Sequence, residues 1–152
     1  AVKRDGVPYE LIQKAIPTIE GEINDILSQI VDFSMVLDVT DGKNINCHIA
    51  YDDDRVWPLE LSSGMERFIS SLAMRVALIN VSNLPRGNFL AIDEGWGTMD
   101  SDNLNSVYSL FQYLKSQFQF TFIVSHIEQM RDAVDSLLEI KKESGFSSVN
   151  LT

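Results

Sequence analysis

Two short apolar runs, each ending in chemically active side chains, constrain this chain most. Phe89-Leu90-Ala91-Ile92 leads straight into Asp93-Glu94, and Phe120 to Val124 leads into Ser125-His126. Runs of this kind suit strands buried on both faces. Between them, Asp102 is placed to cap a helix running to about Phe118. Strand, helix and strand with long connections predict a parallel α/β sheet. Ligands of such sheets bind beyond the carboxyl ends of the strands, where Asp93, Glu94 and His126 stand.

The remaining chain is read by its rhythm. Pro8 suits the first turn of a short helix through Ala15. Pro17 is expected to start or kink a second helical segment ending near Ile30, in which Ile19, Ile23, Ile26, Leu27 and Ile30 fall at helical spacing. The period then becomes two. Phe33, Met35, Leu37 and Val39 alternate, as do Ile45, Cys47, Ile49 and Tyr51, around a hairpin turn at Asp41-Gly42-Lys43-Asn44. Glu66 to Val81 is a strong helix pattern, and Pro85-Arg86-Gly87 breaks the chain after it. Ile127 to Ala133 reads as a short helix, with closing strands at Leu137 to Ile140 and Ser148 to Leu151 around Gly145.

A chain of 152 residues can build one domain with a real core. No apolar run approaches the roughly 18 residues of a membrane span, and Ala1 to Gly6 lack the apolar core of a signal peptide. The absence of an initial methionine reads as an excised or processed fragment. The single cysteine, Cys47, allows no internal disulfide and fits an intracellular setting, cytoplasm or nucleoid, or nucleus in a eukaryote. With no second cysteine, Cys47-His48 does not read as a zinc site. Asp52-Asp53-Asp54 reads as a solvated turn. The net charge of −10 argues against this chain clamping DNA by itself, since phosphate contacts need clustered Lys and Arg.

The order of the remaining motifs carries a resemblance. An apolar strand ending in Asp93-Glu94 resembles a Walker B motif: one carboxylate can help hold Mg²⁺ through water and the next can orient an attacking water. Upstream, Ser63-Gly64-Met65-Glu66 opens the long helix, where free N–H groups and the positive end of the dipole suit an anion. This stretch resembles the signature motif of ABC ATPases in its SMC form. Two registers fit. Leu61-Ser62-Ser63-Gly64 matches the opening letters, and Ser63-Gly64-Met65-Glu66 agrees better along Ser70 to Arg75, with Met65 in place of a second glycine. Gly95-Trp96-Gly97-Thr98-Met99-Asp100 resembles the D-loop, and His126 matches the switch histidine.

These elements, in this order, resemble the C-terminal lobe of an ABC/SMC ATPase head across nearly the whole chain. The opening from Gly6 to Asn24 is similar to the segment where a returning coiled-coil arm rejoins the head in SbcC and Rad-fifty-like proteins of double-strand-break repair. The resemblance implies one domain, residues 1–152, in which 1–31 are the helices from the arm and 32–152 the nucleotide-facing core. It also implies a mostly parallel sheet flanked by helices, with an N-terminal helical segment and a β-hairpin. ATP and Mg²⁺ are the implied cofactors. Glu94 and His126 are the implied catalytic residues and Asp93 the metal carboxylate. Ser63, Gly64, Met65, Glu66 and Asp100 are implied to face nucleotide across a dimer interface.

No Gly-x-x-x-x-Gly-Lys-Ser/Thr phosphate loop is present, because the only Gly-Lys pair, Gly42-Lys43, precedes Asn44 in the hairpin. The resemblance therefore implies a separate N-terminal lobe carrying that Walker A loop, without which this chain is inactive. It also implies a second head in an ATP sandwich, an SbcD-type nuclease, and double-stranded DNA engaged by the whole assembly, with no membrane. A chromosome-organising SMC ATPase and a dimerisation module that closes on ATP without hydrolysing it are the alternative readings.

Overall fold

The computed structural model describes residues 6–40, 44–93 and 104–151. Helix α1 spans Gly6–Leu27, followed by strands β1 (Ser34–Thr40), β2 (Asn44–Ala50) and β3 (Val56–Pro58). A turn of 3₁₀ helix at Leu59–Leu61 leads into α2, Gly64–Val81. Strand β4 (Phe89–Asp93), helix α3 (Leu104–Gln117) and strand β5 (Phe120–Val124) come next. A 3₁₀ segment at Glu128–Ala133 precedes β6 (Leu138–Glu143) and β7 (Phe146–Leu151).

The two helices expected on either side of Pro17 are a single helix, with Pro17 inside it. Proline removes one ladder hydrogen bond and crowds the preceding turn, at a cost of about 3 kcal/mol. That local cost is outweighed by burial along the inner face of the helix, where Ile16, Ile23, Ile26 and Leu27 are all buried. Pro17 itself faces outward.

The first strands form an antiparallel sheet in the order β1-β2-β3. Thr40 lies opposite Asn44, so the hairpin predicted there is present. Its turn residues Asp41, Gly42 and Lys43 lie outside the described residues. Helix α1 covers the outer edge of β1 through two side chains one helical turn apart. Asn24 donates through Nδ2 to the Met35 carbonyl at 2.9 Å and accepts the Met35 N–H through Oδ1 at 2.7 Å. Glu20 accepts the Leu37 N–H at 2.6 Å. Positions i and i+4 of the helix thus meet i and i+2 of the strand, and an edge that could pair with another chain is closed. Asn24→Ala leaves both Met35 groups unpaired at a half-buried site. It is expected to lower stability by about 2 kcal/mol, read as a lower urea midpoint with an unchanged slope.

The expected parallel pairing is found between β4 and β5, with Phe89 opposite Phe120 and Asp93 opposite Val124. The other described strands pair antiparallel. Among them β6 and β7 form a hairpin through Ser144 and Gly145, both at positive φ (50° and 86°), as a tight two-residue turn requires. The apolar residues of α2 at Met65, Ile69, Leu72, Ala73, Val76 and Ala77 form one buried stripe. They share a core with Ile23, Ile26 and Leu27 of α1 and with Val107, Leu110, Phe111 and Leu114 of α3.

One expectation about the parallel strands is corrected. The apolar runs predict burial on two faces, yet Phe89, Phe120, Phe122 and Val124 are 61%, 59%, 43% and 39% exposed. Only the face toward the helices is covered: Ile92 is buried, and Leu90 and Ile123 pack against the core. The outward rings of Phe120 and Phe122 stack on each other at 6.5 Å.

Candidate functional site

The site is built on the start of α2. Ser63 is the N-cap: its Oγ accepts the Glu66 N–H at 3.2 Å, and Glu66 Oε2 accepts the Ser63 N–H at 2.7 Å. This reciprocal capping box satisfies two of the four N–H groups that a helix start leaves without intrahelical partners. The other two belong to Gly64 and Met65, at the positive end of an 18-residue helix. The Ser63 hydroxyl, while accepting, keeps its own proton to donate. Ser63 is exposed, whereas Ser62 is buried and its Oγ has no partner. Of the two registers, the one beginning at Ser63 therefore presents its serine outward.

Met65, standing where a second glycine was expected, points into the core at 5% exposure. Its side chain leaves the outer surface of the turn, so this departure does not obstruct approach to the backbone.

Beside this turn lies a groove of about 480 Å³, lined by Asp32, Phe33 and Tyr51 on one side and by Ser63, Met65 and Glu66 on another. Asn105, Ser106 and Ser109, from the first turns of α3, close it. Sequence reasoning placed Tyr51 only as the last alternating residue of a strand. The structure makes it part of the site, because its hydroxyl donates to Glu66 Oε1 at 2.7 Å. Burial, together with the Glu66 carboxylate, pushes the Tyr51 phenol up to about 12. Burial would raise Glu66 in turn, but hydrogen bonds from Ser63 and Tyr51 outweigh it and hold this carboxyl below its ordinary value. Glu66 is thus a carboxylate with both oxygens engaged. A usable signal was present in the sequence: Tyr51 and Trp57 flank an acidic turn, and their rings stack at 5.6 Å.

Asp52-Asp53-Asp54 is the solvated turn expected. Asp52 accepts the N–H groups of Asp54 and Arg55 and pairs with the Arg55 guanidinium at 2.7 Å. Among the described residues no cluster of three or more metal-ligating side chains occurs. Trp57 is half-buried.

The second group of predicted residues sits at the carboxyl ends of the parallel strands. Asp93 is the last residue of β4, exposed, and level with Val124. His126 lies two residues beyond β5 and is exposed. The turn that carries it is shaped by the Ser125 Oγ, which accepts the Ile127 N–H at 3.1 Å. Adjacent parallel strands therefore bring Asp93 and His126 to the same, carboxyl, end of the sheet. Glu94, Trp96 and Asp100 lie outside the described residues.

No family model matches the chain. Over 160 aligned positions it is 32% identical to "Uncharacterized protein R555" of Acanthamoeba polyphaga mimivirus, covering 95% of this chain and 12% of that protein. Over 86 residues it is 35% identical to the SbcC component of the SbcCD nuclease of Rhodobacter capsulatus, covering 55% of this chain and 7% of that one. The chain thus spans only a small part of the relatives it matches. Its fold superposes on a chain from structural work on ATP-driven dimerization and DNA-stimulated activation of SMC ATPases. That match has a TM-score of 0.76 at 16% identity and covers 95% of this chain and 89% of the other. The chain is thus similar to SbcC over about half of its length, and its fold is that of an SMC ATPase head.

Proposed function

We propose that this chain is the C-terminal half of a composite ATP site, which hydrolyses ATP only when joined by a phosphate-loop lobe and by a second head. The observation that carries the reading is the start of α2, where a capped but outward-facing serine and two N–H groups left over by the helix are offered to an anion. In this reading Ser63, Gly64 and Met65 meet the γ-phosphate held by the opposing head, with Glu66 holding the turn and Asp100 reaching across the same interface. Asp93, a rigid and exposed carboxylate at a strand end, suits water-mediated support of Mg²⁺. Bound Mg²⁺ supplies charge neutralisation on the phosphates. Glu94, the next residue, orients and polarises the attacking water, and His126 hydrogen-bonds the γ-phosphate from the neighbouring strand end.

The exposed phenylalanines on β4 and β5 support a missing partner. Side chains of this size normally lie against other protein, and the phosphate-loop lobe supplies a surface for them. Helix α1, within the span 1–31, is the place where a coiled-coil arm meets the head in this reading, within a single domain over 1–152.

The R. capsulatus relative is part of a nuclease complex. Double-strand-break repair with an SbcD-type nuclease, and DNA engaged by the assembly, follow as the finer proposal. The similarity of the fold to SMC heads favours chromosome organisation as the second reading. No helix among the described residues is long and apolar enough to cross a membrane.

The test is light scattering on heads assembled from this chain and its phosphate-loop lobe. They are expected to be monomeric without nucleotide and dimeric with ATP. Heads that remain monomeric at saturating ATP would contradict the reading.

A further inference from the structure

We infer that Tyr51 is a positioning residue for the nucleotide-facing turn, holding Ser63 and Glu66 in the geometry that leaves the Gly64 and Met65 amides to phosphate. The inference rests on reading that turn as the signature motif, and it adds an element that the motif itself does not contain.

The acidic turn after β2 is rigidified by Asp52, which accepts two backbone N–H groups and the Arg55 side chain. Tyr51 is fixed at the edge of that turn by its own N–H, which donates to the Arg55 carbonyl at 3.1 Å. Its ring is gripped on several sides: Trp57 stacks at 5.6 Å, Phe33 is tilted at 5.6 Å, and the Arg55 guanidinium lies 5.5 Å from its centroid. A ring held this way aims its hydroxyl at one point, and that point is Glu66 Oε1. The other carboxylate oxygen of Glu66 takes the Ser63 N–H.

Without the tyrosine hydroxyl, Glu66 can turn from the cap toward solvent. Ser63 then loses its backbone partner, and the turn samples orientations that do not face the opposing head. The antiparallel sheet, remote in sequence from the motif, thereby sets how well two heads close on ATP.

Three variants of the two-lobe head test this. Tyr51→Phe keeps every ring contact and removes only the hydroxyl. It is expected to weaken ATP-driven head association about fivefold, the worth of one such hydrogen bond, with ATP affinity of the monomeric head unchanged and only a small fall in the unfolding midpoint. In a Glu66→Ala background, Tyr51→Phe is expected to add nothing, since the partner is gone. A merely structural tyrosine would lower the unfolding midpoint while leaving ATP-driven association at the parent value, or would weaken association equally in both backgrounds, and either result overturns the inference. Ser63→Arg separates the two levels. If it blocks association while Tyr51→Phe associates like the parent, the signature reading stands and the role of Tyr51 falls. If Ser63→Arg still associates, the signature reading fails and the inference fails with it.

Discussion

Glu94→Gln is expected to reduce ATP turnover of the assembled head by about 10²–10⁴-fold, the usual worth of a positioned general base, and to trap the ATP-bound dimer. Strand β4 carries Asp93 to an exposed position at its carboxyl end, and Glu94 follows it directly in the sequence. Glutamine keeps the size and one acceptor of the carboxylate but loses the negative charge that polarises water. Nucleotide binding and closure do not need that charge, so both persist. A dimer that forms at ordinary ATP concentration and then fails to decay is the expected signature in size-exclusion chromatography. Turnover at the parent rate would remove Glu94 from the mechanism.

Ser63→Arg is expected to abolish ATP-driven association while leaving nucleotide binding to the phosphate-loop lobe intact. In the proposed reading the exposed N-cap receives the γ-phosphate of the opposing head, and a long side chain fills that space. The substitution also removes the serine cap, at about 1 kcal/mol, a loss that a core built on α1, α2 and α3 tolerates. Ser63→Asp makes the same point with less disturbance. Aspartate caps a helix as well as serine, yet its charge repels phosphate, so it is expected to keep stability and lose association.

The parts of this fold that could be read from sequence are those whose signal is local. The runs into Asp93 and Val124 announce a parallel pair because unbroken apolar stretches with a helix between them leave few other arrangements. The start of α2 was legible for the same reason, since a capping box is written within four residues, Ser63 to Glu66. What failed was decided by partners distant in sequence. Pro17 is a strong local break, and only the burial of Ile16, Ile23 and Leu27 against the rest of the core carries the helix through it. The outward faces of Phe120 and Phe122 have the composition of a doubly covered strand, while this chain covers one side. Tyr51 escaped notice because alternation assigns it to a strand face. Its contact with the start of α2 is made by reaching Glu66, 15 positions later, across a turn whose three aspartates look like a separate feature.

The most direct test of the composite site is Mg²⁺-dependent ATP hydrolysis by this chain mixed with its phosphate-loop lobe, measured beside each lobe alone. Turnover in the mixture, absent from either lobe and lost in Glu94→Gln, is the predicted result. Turnover by this chain alone, or none in a mixture shown to form the complex, would contradict it.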